Sequence, residues 1–248
     1  MHTLIVTMGG YGDSEGEACE LSSYLDAQAA LAFVQTTYGL PRERILAHGL
    51  SIGGALASAA PGVHATLDQT FVNALEVAQV VAELHFDGYA PEWAISGVVT
   101  ASFQTGLRHE GFPLLTDAFD TEKKMAQVAG SVFVFRASND TMVCSLHVGP
   151  PAPSNDAPPS ILQMPPSFGR RLIAARYPND ERREEECSCV LDGGHGTFFG
   201  SQKAASLHYH VYLVRLGLAP DTPIFRREVS EALQAKRISN IDIMLDDE

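Results

Sequence analysis

Basic residues are scarce in this chain. Lys and Arg together number 17 among 248 residues, against 30 Asp and Glu, for a formal net charge of −13. Such a surface repels phosphate backbones and anionic membranes unless cations are locally concentrated. The doublets Arg170/Arg171 and Arg182/Arg183 sit in irregular, partly acidic text, so no nucleic-acid partner is expected. Cysteine is also scarce. Cys19, Cys144, Cys187 and Cys189 are too few and too uneven for a disulfide framework, and no C-x-x-C pair offers a zinc site. Long apolar runs are missing: Ala29 to Val34 falls far short of the roughly 18 residues of a membrane span, and no basic-then-apolar leader precedes it. A reduced, cytoplasmic chain without a transmembrane segment is the expectation.

With 45% apolar and 19% charged residues, the chain suits a single domain over 1–248. Residues 3 to 7 (Thr-Leu-Ile-Val-Thr) read as a buried strand running into the glycine turn Gly9-Gly10-Tyr11-Gly12. Leu21, Leu25, Ala29, Ala32 and Phe33 step at helical spacing until Gly39-Leu40-Pro41. Arg44 to His48 predicts a second strand, and the small apolar text from Ser51 to Ala60 a tightly packed helix. Val63 to Leu67 and then Phe71 to Val81 repeat the strand–helix pair. This pace predicts an α/β fold, a mostly parallel sheet with helices on both faces.

Residues 85–119, with little periodicity and the only tryptophan (Trp93), read as a cap or lid insertion. Ser131 to Arg136 is apolar enough to be a central strand. A second insertion, 145–185, is proline-rich and charged, and residues 149 to 166 alone carry seven of the fourteen prolines. Cys187 to Leu191 is the last strand expected, followed by helices near Ser201 to Leu216 and after Asp221-Thr222-Pro223.

Chemistry concentrates at three places. Gly49-Leu50-Ser51-Ile52-Gly53 is a G-x-S-x-G motif between a predicted strand and a predicted helix. In that setting the turn is sharp, the flanking positions must be small, and the strained serine projects its hydroxyl beyond the sheet. A nucleophilic serine needs a base to take its proton and an acid to hold that base in the right tautomer. Asp140 directly follows the strand 131–136, and His195 directly follows the strand 187–191. Loops at the carboxyl ends of parallel strands are where such groups gather. Asp192, three residues before His195, reads as a turn cap, and Asp120 as a helix N-cap. His208 and His210, two apart on a predicted helix, point to different faces and do not make a metal pair.

Taken together, Gly10-Tyr11-Gly12-Asp13-Ser14-Glu15-Gly16, Tyr24-Leu25-Asp26-Ala27-Gln28-Ala29-Ala30-Leu31, Gly49 to Gly54, the Asp140 loop and Gly193-Gly194-His195 resemble the α/β-hydrolase superfamily of serine hydrolases. The first two stretches are similar to its lysophospholipid lipase and depalmitoylase branch. The resemblance implies an acyl or other small-molecule substrate, a Ser51, Asp140, His195 triad, and an oxyanion donor at the Ile52 N–H, with no metal or organic cofactor. It covers residues 3 to about 85 closely and 120 to 215 loosely.

By the same resemblance, Leu4 to Gly16 matches a fourth strand and its loop, so the first three strands and the loop that supplies the second oxyanion donor are expected to be missing. Met8-Gly9-Gly10 stands as a substitute donor, since glycines permit close approach, although Gly9 aligns with a position where the family carries arginine. Two function classes follow: a serine esterase, lipase or thioesterase, or else a non-catalytic hydrolase-like domain or the C-terminal fragment of a longer hydrolase. A proline-rich binding scaffold ranks behind both.

Overall fold

The computed structural model describes residues 2–86, 89–104, 108–109, 112–113, 118–137, 168–180, 183, 187–191 and 213–214. Its centre is a four-stranded sheet in the order β1-β2-β5-β6, with β1 Leu46–Leu50, β2 His64–Asp68, β5 Val132–Ala137 and β6 Ser188–Leu191. Every neighbouring pair is parallel: Leu46 opposes His64, Ala65 opposes Val132, and Val134 opposes Ser188. β5 is therefore internal, as its unbroken Val-Phe-Val-Phe text predicts. Parallel strands are covered on both faces, and β2 shows this, because Ala65, Thr66, Leu67 and Asp68 are all fully buried. Ala55 and Leu56 pack with Leu67, Val72, Met125, Val132, Val134, Leu172 and Ile173 into one core.

Helix α1 (Glu20–Tyr38) starts on a reciprocal cap, in which the Cys19 sulfur accepts from the Ser22 N–H and the Ser22 hydroxyl accepts from the Cys19 N–H. It stops at Gly39, whose φ of 62° is a left-handed cap that glycine adopts without strain. The helix forms where the spacing predicts, but its apolar stripe faces outward: Leu21, Leu25 and Phe33 are exposed. The inner face is Glu20, Ser23, Tyr24, Ala27 and Leu31. Tertiary hydrogen bonds explain the inversion. The buried Glu20 carboxylate accepts from the Phe119 N–H at 2.7 Å and from the Tyr24 hydroxyl at 3.2 Å, and the Tyr24 and Phe119 rings lie 5.7 Å apart.

One further expectation is corrected. Residues 3–7 form no strand; they lie beside Asp26, Ala29, Ala30 and Phe33 of α1, with Leu4, Ile5 and Val6 exposed. β-branched text becomes a strand only when it docks on a sheet edge, and residues 3–7 do not pair with the outer edge of β1, which among the described residues pairs with β2 alone. The stretch 85–119, which shows little periodicity in the sequence, carries regular structure. It contains α4 (Glu92–Gln104), which packs against α3 (Ala74–Phe86), and a short antiparallel pair, β3 (Arg108–His109) and β4 (Phe112–Pro113). Gln79 of α3 donates to Ser96 and Thr100 of α4, a polar contact between the two helices.

Asp120 does cap a helix, α5 (Thr121–Met125), accepting from the Lys123 N–H at 2.9 Å. On α6 (Phe168–Arg176), inside the stretch read as the second insertion, Arg171 is no phosphate-binding cation. Its guanidinium forks onto Glu76 of α3 at 2.6 Å and Glu122 of α5 at 2.5 Å, and these carboxylates hold its pKa above the usual arginine range. Asp180 and Arg183 form an exposed ion pair at 3.4 Å. No helix among the described residues is long and apolar enough to cross a membrane. The proline-rich stretch 149–166 and the helix expected after Asp221 lie outside the described residues, as does nearly all of that expected near Ser201 to Leu216.

Candidate active site

The G-x-S-x-G text folds into the passage from β1 to α2 (Ile52–Ser58), with Ser51 as the hinge between them. Ser51 has φ 54° and ψ −119°, a region that side chains other than glycine occupy only under constraint, at a cost of about 1 to 3 kcal/mol. Its hydroxyl makes no capping bond to the helix it starts. That is unusual for a serine at an N-cap, where the oxygen normally accepts a first-turn N–H.

The surrounding contacts show what holds this backbone. The Ser51 N–H donates to the Asp68 carbonyl at 2.8 Å, tying the end of β1 to the end of β2. The Ser51 carbonyl accepts two donors, the Gly54 N–H at 2.9 Å and the Thr70 hydroxyl at 2.6 Å. A Cβ on Gly49 would overlap the Gly53 carbonyl, and one on Gly54 would overlap Thr70. The requirement for smallness thus falls at Gly49 and Gly54. At Gly53, where the motif predicts it, an added Cβ meets open space.

The next strand end is strained as well. Gln69 follows β2 with φ 48° and is buried, and its N–H donates to the Phe135 carbonyl of β5 at 2.9 Å. Asp68, Gln69 and Thr70 are all buried beside Ser51. The sequence reading overlooked them, because their one signal is position: they leave the carboxyl end of the strand next to the serine's own. Ile52, directly after the serine, is 43% exposed. His48 on β1 places Nδ1 2.8 Å from the Thr66 hydroxyl; although the residue is solvent-exposed overall, loss of water around its ring pulls the pKa below the ordinary 6.5.

Asp140 and His195 lie outside the described residues, as do Asp192, His208 and His210. The strands that lead to the first two are described. β5 ends at Ala137 and β6 at Leu191, both parallel to β1, so those two strand ends lie on the same edge of the sheet as Ser51. From β1 to β6 is three inter-strand steps, roughly 14 Å.

The glycines at 9 and 10 have other duties. The Gly9 N–H donates to the Asp26 carboxylate at 2.7 Å and the Gly10 N–H to the Ser14 carbonyl at 3.3 Å, so neither is available to an oxyanion. Among the described residues no group of three or more His, Cys, Asp or Glu is placed to hold a metal.

No family model matches the chain. Similarity to solved structures is distant. An esterase of Pyrococcus furiosus is 15% identical over 84% of this chain and 68% of its own, with a TM-score of 0.49. A puromycin-hydrolyzing peptidase of Mycobacterium tuberculosis is 16% identical, with coverage of 81% and 26% and a TM-score of 0.46. An acylaminoacyl peptidase of Pyrococcus horikoshii is 12% identical, with coverage of 87% and 33% and a TM-score of 0.46. The chain therefore spans about a quarter to a third of the length of the two peptidases.

Proposed function

We propose that this protein is a serine hydrolase of the α/β-hydrolase type that cleaves an ester, thioester or amide, with acyl esters as the substrate class the resemblance favours. The observation that carries the proposal is the backbone of Ser51: a non-glycine residue at positive φ, at the crossing of a parallel strand and a helix, whose hydroxyl does not cap that helix. Strain of this kind persists only where neighbouring structure enforces it, and here Gly49, Gly54 and Thr70 do so.

In the proposed reaction the Ser51 oxygen bonds to the substrate carbonyl carbon while His195 takes the hydroxyl proton, and Asp140 orients the imidazole. The tetrahedral intermediate places its negative oxygen against the Ile52 N–H. Collapse breaks the bond to the leaving group, which departs with the proton from His195. Water, activated by the same histidine, then releases the acyl group and restores the serine. Chain order supports these roles for Asp140 and His195, as does the position of the strand ends that precede them, at the edge of the sheet that carries Ser51.

A fluorophosphonate probe tests the proposal. The wild-type protein is expected to label at Ser51, and Ser51→Ala to lose labelling altogether. A folded wild-type protein that remains unlabelled overturns the reading in favour of a non-catalytic hydrolase-like domain. The commitment of the Gly9 and Gly10 N–H groups to Asp26 and Ser14 favours that second reading, since it removes the two glycine donors suggested for the oxyanion.

A further inference from the structure

We propose that Thr70 is a positioning residue: its hydroxyl locks the Ser51–Ile52 peptide in the one orientation that aims the Ile52 N–H at the reacting carbonyl. The inference rests on the hydrolase reading of Ser51. It starts from peptide geometry. The Ser51 carbonyl and the Ile52 N–H belong to the same planar unit and point in opposite directions, so whatever pins the oxygen also aims the hydrogen.

Thr70 pins the oxygen. Its Oγ1 donates to the Ser51 carbonyl at 2.6 Å, beside the Gly54 N–H at 2.9 Å. The local turn supplies the Gly54 bond, whereas the Thr70 bond reaches in from the segment that follows the neighbouring strand. With ψ at −119° the Ser51 backbone lies far from a helical minimum, and relaxation toward one would rotate this peptide and swing the N–H away. A single donor within the turn moves with that rotation; an external donor held just past the end of β2 resists it.

Three neighbouring features exist in service of this contact. Gln69 takes a positive φ of 48°, which turns the chain at the end of β2 directly before Thr70. Its N–H is held by the Phe135 carbonyl, so the turn is anchored to β5. Gly54 leaves out the Cβ that would strike the Thr70 side chain. Thr70 is 4% exposed, so bulk water does not compete for its hydroxyl.

The test compares Thr70→Val, which keeps the shape and removes the hydroxyl, with Thr70→Ser, which keeps the hydroxyl and removes the methyl. Fluorophosphonate labelling is followed against probe concentration, giving the rate at saturation and the half-saturating concentration, and a thermal melt confirms that each variant is folded. Thr70→Val is expected to lower the saturating rate by about ten- to a hundredfold with unchanged half-saturation, because a misaimed donor costs the transition state and not probe binding. Thr70→Ser is expected to stay within about threefold of wild type on the same reasoning. Wild-type rates in a folded Thr70→Val protein overturn the inference, as does an equal loss in both variants, which would assign the effect to shape. Failure of the wild type to label at Ser51 is a different result: it removes the hydrolase reading and this inference with it.

Discussion

The two ends of the central sheet are built on opposite principles. At the carboxyl end, Ser51 and Gln69 both hold positive φ values, on adjacent strand exits, and a side-chain hydroxyl from one is spent on the carbonyl of the other. At the amino end the polar groups are satisfied without such distortion. His64 accepts the Ser131 N–H on Nδ1 at 3.0 Å, which leaves the proton on Nε2, and that proton meets the Glu43 carbonyl at 3.0 Å. One neutral ring thus ties the entries to β2 and β5 to the turn before β1. Among the described strand ends, the non-glycine residues at positive φ lie at the edge that carries the candidate nucleophile; Ala118, Phe119 and Asn179 share that conformation but lie outside the sheet.

Three substitutions sharpen or break that contrast. The largest effect is expected from Gly49→Ala, because its Cβ would overlap the Gly53 carbonyl and neither backbone can retreat. Urea denaturation should show a loss of about 3 kcal/mol, the upper part of the overpacking range, and a loss near zero would mean that the strand–helix crossing is looser than described. His64→Ala comes next. It strands the part-buried Ser131 N–H, so about 1 to 2 kcal/mol of stability should go while fluorophosphonate labelling of Ser51 keeps its wild-type rate. A matching fall in labelling would show that the two ends are coupled, and the contrast would fail. Smallest is Ser51→Gly, expected to raise stability by about 1 kcal/mol as labelling disappears, since glycine accepts the positive φ without cost. A destabilised Ser51→Gly protein would place the strain elsewhere.

Much of the scaffold was legible because its signals are local. The β-branched and aromatic run of β5 marks a buried central strand, Val63 to Leu67 marks β2 ahead of its helix, and Gly39 marks the end of α1. What misled were segments whose state depends on distant partners. Thr3 to Thr7 has strand-like text but lies outside the sheet, and α1 turns Glu20 inward because Phe119, far along the chain, offers it an N–H. At the candidate site the same division holds. The motif located Ser51, whereas Thr70 is a single threonine whose role exists only after β1 and β2 pair. Gly54, read as one more small residue, gains its reason from Thr70 as well.

The parallel sheet also dictates an order of events for the chain. β1 and β2 are joined through α2 alone, so Leu46 and His64 can meet early, whereas Ala65 must wait for Val132 and Val134 for Ser188. Each of those later closures spends chain entropy before any strand contact repays it. Until β5 arrives, the inner edge of β2 stands open, with Leu67 and its neighbours uncovered. The strained turn at Ser51 sits on the pair that forms first, yet Gln69 gains its anchor on Phe135 only when β5 docks. The contacts made by Ser51 itself, to Asp68, Gly54 and Thr70, can thus form with the β1–β2 pair, whereas the Gln69 anchor requires the later docking of β5.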